Sequence, residues 1–174
     1  MAEVHVIGQI ESADGFVDNR LSCRWIVYLG GGWRLIEGET EGQTQTDISV
    51  LERAYFCHPI DLHLSTKTIQ NWPRIHLEIW RQDEFNRQEI CGYGTAIIPS
   101  APGEHEIKCH CWRPKSGFRN EITRRFVGGG TQLKSLRILD DSNERMRLQT
   151  TSCGLVTFRL SVITRHFDRF GIQC

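Results

Sequence analysis

The chain has 174 residues, with Lys+Arg and Asp+Glu both at 21, so its formal net charge is zero. That length suits a single domain able to bury about 70% of its unfolded surface without disulfide or metal staples. Zero net charge removes any global attraction to nucleic acid or to an acidic membrane, and leaves only local patches to serve such partners.

Seven cysteines is an odd number. The opening stretch "MAEVHVIGQIES" has no basic leader and no long apolar run, so no secretory signal is expected and the thiols are expected to be reduced. No apolar run approaches the roughly 18 residues of a membrane span. The "MA" start and the final Cys174 match neither the myristoylation nor the prenylation pattern. The expectation is a soluble intracellular protein, one domain over 1–174 with a tail at about 164–174.

Strand periodicity governs the chain order. "EVHVIGQI" places Val4, Val6, Gly8 and Ile10 on one face. "LSCRWIVYLGGGW" does the same for Leu21, Cys23, Trp25 and Val27, and Gly30 to Gly32 end that run in a turn. "IDLHLST" alternates Ile60, Leu62 and Leu64 with Asp61, His63 and Ser65. "RIHLEIW" alternates Ile75, Leu77 and Ile79 with His76, Glu78 and Trp80. "GTAIIP" is a short strand closed by Pro99, and "SAPGEHE" supplies a Pro-Gly turn. "EIKCHCW" sets Ile107, Cys109 and Cys111 on one face. The last run sets Val156, Phe158, Leu160 and Val162 against Thr157, Arg159, Ser161 and Ile163. One segment differs: Phe118, Ile122 and Phe126 are spaced i, i+4, i+8, which predicts one short helix near 116–127, stopped by Gly128. About eight strands with Gly/Pro turns predict an all-β, antiparallel β-sandwich.

Catalytic and metal motifs are sparse. The thiols of "KCHCW" point the same way on a strand, but no second pair with zinc-ligand spacing exists, and Cys57, His58, His105 and His110 are scattered. Cys109 and Cys111 therefore read as small core residues. No G-x-S-x-G is present, and neither glycine triplet carries the Lys-Ser/Thr of a phosphate loop. No cofactor, catalytic residue or nucleic-acid partner is expected. Arg113, Lys115, Arg119, Arg124 and Arg125 form a basic group suited to phospholipid head groups or an acidic partner. In the tail, Phe167, Phe170 and Ile172 either pack back on the sandwich or dock another protein.

The stretch "WRQDEFNRQEICGYG" links two strands through a polar loop. Its spacing from Trp80 to Gly92 resembles a ligand loop of the C2 fold, with the neighbouring ligand loop expected around "SADGFVDNRLSCRW" and its Asp14 and Asp18. Arg81 stands where that pattern has its first Asp, Asp83 keeps the second, and Glu89 replaces the third. Calcium takes six to eight oxygens, and a fixed positive charge at the first ligand position opposes it. These three positions read as a vestigial calcium loop without metal, stiffened by an ion pair between Arg81 and Asp83, with Phe85 as an apolar wedge.

"EVHVIGQI", "EGQTQTD", "HPIDLHLSTK", "WPRIHLEIW", "WRP", "RRFVGGG" and "RHFDRFGIQC" together resemble the B9-domain family over nearly the whole chain. The resemblance implies a C2-like sandwich at the ciliary transition zone and basal body. It implies a non-enzymatic member of the Meckel syndrome-type complex, joined to two other B9-domain proteins and to tectonic-type proteins, and supporting ciliogenesis and the membrane diffusion barrier. The alternative is a peripheral phospholipid-binding module.

Overall fold

The computed structural model describes residues 1–17, 20–48, 53–115, 132–133, 136–139 and 146–168. Among these residues it is all-β apart from a 3-10 turn at Leu136–Leu139 and short helical turns. Nine strands follow in order: β1 Ala2–Asp14, β2 Leu21–Tyr28, β3 Trp33–Gly38, β4 Glu41–Gln43, β5 Ala54–Thr66, β6 Arg74–Gln82, β7 Gln88–Ile97, β8 Gly103–Pro114 and β9 Thr150–Arg165. Every pairing is antiparallel, in the order β3-β5-β1-β9-β8-β7-β6-β2-β4. The predicted helix at 116–127 lies outside the described residues.

The sheet folds over at β7 and β8, where Tyr93 opposite Trp112 is the one paired position among the described residues. This turns β3-β5-β1-β9-β8 and β7-β6-β2-β4 into two facing layers, the C2-like sandwich. The alternating apolar positions fill the space between them. Val4, Val6, Ile10, Ile60, Leu62, Leu64, Phe158, Leu160 and Val162 from one layer meet Cys23, Trp25, Val27, Ile75, Leu77 and Ile79 from the other in one core. Each fully buried aliphatic side chain contributes about 1.5–3 kcal/mol.

Two residues on the other face of β6 are also covered, His76 fully and Trp80 in part. His76 is buried beneath Tyr28, ring centroids 5.9 Å apart and 5° from parallel. Trp80 joins a second apolar cluster on the outer face, made of Ile90, Tyr93, Trp112 and Leu139 with Leu133, Leu136 and Leu148 at its rim. The described parts of the β8–β9 connection thus lie across β7 and β8. Tyr93 Oη fastens them by accepting a 2.8 Å hydrogen bond from the Leu133 amide.

Candidate functional site

The β1–β2 and β6–β7 loops meet at one end of the sandwich. β2 and β6 pair from Leu21 opposite Arg81, and the Gln82 amide donates to the Arg20 carbonyl at 2.9 Å. Asp14, Phe16, Val17, Arg81, Arg113 and Cys153 are among the residues lining a cleft of about 560 Å³ there. The two loops of the C2 pattern therefore converge. Asp14, Asp83 and Glu89 are each engaged by an arginine.

Arg81 pairs with Glu89 rather than Asp83: its Nε and Nη2 approach Glu89 Oε2 at 3.0 and 2.7 Å. The pairing follows from register, because Arg81 and Glu89 are directly opposed across β6 and β7. Glu89 is only 7% exposed, so the guanidinium offsets a charge that burial would otherwise make costly.

Asp83 holds the loop itself. Its Oδ1 accepts 2.8 Å hydrogen bonds from the amides of Phe85 and Arg87, and its Oδ2 accepts from Arg87 Nε at 2.7 Å. Solvent loss at the site pushes its carboxyl up, but the Arg87 and Phe85 hydrogen bonds outweigh that and hold it below the ordinary value. Asn86 closes the turn with a left-handed φ of 62°, a conformation Asn tolerates. Asp14 meets a third arginine: Arg53 Nη2 lies 2.9 Å from its Oδ2, and that hydrogen bond lowers the carboxyl. Asp83, Glu89 and Asp14 thus each face an arginine. Asp18 lies outside the described residues.

Each loop exposes one large apolar side chain among its described residues. Val17 is 95% exposed and Phe85 78%, with the Arg87 guanidinium 5.3 Å above the Phe85 ring centre. Of the basic group, Arg113 is half-buried in the cleft and Lys115 is exposed. Arg119, Arg124 and Arg125 lie outside the described residues, as do Phe170 and Ile172. Phe167 is a core residue, 4% exposed and packed with the sandwich. Of the two roles open to it, packing back is the one it adopts, and docking a partner would require it to leave the core.

Cys109 and Cys111 are buried in the core as their spacing suggested. The Cys111 thiol is pushed up first by its contact with Cys109 and then by burial, and burial pushes Cys153 up to about 11. Both are protonated at neutral pH and poorly disposed to react.

The family model for "Ciliary basal body-associated, B9 protein" matches residues 4–163. The chain belongs to the B9 family. This B9 chain is 49% identical to B9 domain-containing protein 2 of Bos taurus over 175 residues, covering all of both chains. It is 38% identical to the protein of that name in Drosophila melanogaster, covering 99% of each. It is also 27% identical to the human "Tectonic-like complex member MKS1", where the match takes in 89% of the B9 chain and 32% of the longer protein.

Proposed function

We propose that this B9 protein is a non-catalytic assembly component of the ciliary transition zone. In this reading it joins two other B9-domain proteins and tectonic-type membrane proteins at the base of the cilium, supporting ciliogenesis and the diffusion barrier. The observation that carries it is full-length similarity to B9 domain-containing protein 2, together with a B9-like segment inside the longer MKS1 chain.

The sheet edges constrain how the joining occurs. β4 has three residues, and β3 carries a register shift between Leu35 and Glu37 beside the charged Arg34 and Glu37. Short, bulged, charged edges resist extension by a foreign strand. The outer face of β1 and β9 offers Ile7 and Ile163 instead, 46% and 51% exposed. Co-purification with the two sister B9 proteins, followed by mass measurement, is expected to give one stable complex. Separate elution of all three would overturn the reading. A chain ending after Asp168 keeps Phe167 in its core and isolates the contribution of the last residues; weaker partner binding by that folded variant is expected.

A second reading is favoured by the exposed Val17 and Phe85 beside Arg113 and Lys115: peripheral contact with phospholipid, without calcium. Flotation with phosphatidylserine vesicles is expected to show binding at low salt that weakens at physiological salt. No binding at either salt would dispose of it.

A further inference from the structure

Away from the loop end, Glu3, His5 and His63 stand together on the outer face of the β1–β5 layer. Glu3 and His5 are two positions apart on β1 and share a face. His63 is the direct cross-strand partner of His5 on β5. One ligand atom from each of the three lies within 4.8 Å of the others. The imidazoles are stacked with centroids 4.0 Å apart and planes 19° from parallel. His63 Nε2 is buried and has no hydrogen-bond partner among the described residues. Glu3 Oε2 is 3.6 Å from it, beyond hydrogen-bond range. On the far side of His63, the edge strand β3 sets Glu37 directly opposite it.

We propose that Glu3, His5 and His63 form a transition-metal site of the zinc type, with its fourth position open to water beside Glu37. Two imidazoles and a carboxylate are a borderline donor set that suits Zn²⁺, while Ca²⁺ and Mg²⁺ require more oxygens. Donors on a tetrahedral Zn²⁺ at about 2.0–2.1 Å lie about 3.3 Å apart. The present separations, up to 4.8 Å, must close by as much as about 1.5 Å, and rotation of these side chains on the outer face supplies that movement. Binding gives the orphaned His63 nitrogen a partner and replaces ring stacking with convergence on the ion. Arg165 Nη1, 4.0 Å from Glu3 Oε2 and 67% exposed, is the competing cation and is free to swing into solvent. The bound ion cross-links β1 to β5, so zinc raises the thermal midpoint of the chain.

Calorimetric titration of the chelator-treated full chain with ZnCl₂ tests the site. A Cys57→Ser background removes the one exposed thiol among the described residues. One saturable site per chain is expected, weakened at least about 100-fold in His5→Gln and in His63→Gln. Both replacements lie on the outer face, and circular dichroism checks that they fold. Cobalt substitution of the Cys57→Ser chain gives an independent reading: four-coordinate visible bands without thiolate charge transfer are expected. Absence of saturable zinc binding, unchanged affinity in both histidine variants, or a thiolate charge-transfer band would each overturn the assignment.

Discussion

Arg81 is the residue on which the loop end turns. Replacing it with Met removes the guanidinium that faces the buried Glu89 carboxylate and is expected to cost about 2–4 kcal/mol in urea unfolding, the lower part of the range reflecting the partly exposed arginine. Adding Glu89→Leu to that variant is expected to recover most of the loss; a double variant no more stable than the single one would show that the pair is not the cause. A separate acid dependence belongs to His58, whose imidazole is held below its ordinary 6.5 by burial beside Trp25. The unfolded chain therefore takes up that proton at higher pH than the folded one. Stability attributable to His58 is intact above pH 6.5 and is lost as the pH falls from there through the lowered folded value. Asp14 and Asp83 act in a lower window: their stabilisation is present above 3.8 and lost as the pH drops through their depressed values. His58→Gln is expected to flatten the midpoint between pH 7 and 5.5 while leaving the steeper acid limb in place.

At the level of strands, alternation alone located β1, β2, β6, β9 and most of β5, because half of each faces a dry core and half faces outward. β3 escaped that signal because only Trp33 is buried on an otherwise solvated edge, and β4 because three residues carry no period. β7 was visible only in its second half. Its inward positions include Gly92, Gly94 and Ala96, opposite Ile79, Leu77 and Ile75, and its larger apolar groups, Ile90 and Tyr93, face the other way. The missing side chains are replaced by sulfur: a Cβ at Gly94 would sit 2.8 Å from Cys109 Sγ, and one at Gly92 would run into Cys153 Sγ. The paired arginines were equally hidden, since Arg81 meets Glu89 through strand register and Asp14 meets Arg53 across distant chain positions. The same holds for His5 and His63, which only the β1–β5 register brings together. Tyr93 also tests the covering segment. Tyr93→Phe removes the acceptor for the Leu133 amide and is expected to cost about 1–2 kcal/mol. Hydrogen exchange should show the Leu133 amide losing protection while amides within β1 and β9 keep theirs.

The whole molecule presents two unlike regions: a loop end where acid and base cancel, and an outer face with exposed isoleucines. Because Arg81, Arg87 and Arg53 occupy Glu89, Asp83 and Asp14, calcium titration of the intact chain is expected to give a flat calorimetric trace. Arg81→Asp with Arg87→Gln adds one carboxylate and takes the arginines away from two others, Glu89 and Asp83, and is expected to gain millimolar calcium affinity. A saturable heat from the unaltered chain would show that the arginines do not close the site. The ends of the β8–β9 connection have a further implication for engineering. Pro114 opposes Thr150, and the Lys115 amide donates to the Gln149 carbonyl at 2.8 Å, so the two described ends of the connection meet in one hydrogen-bonded neck. A short hairpin turn bridging that neck would rethread none of the nine strands. What forbids a simple excision is wetting, because Trp80, Ile90, Tyr93 and Trp112 would be left bare as a sticky patch. A shortened chain would stay monodisperse only if those four positions were recoloured polar together.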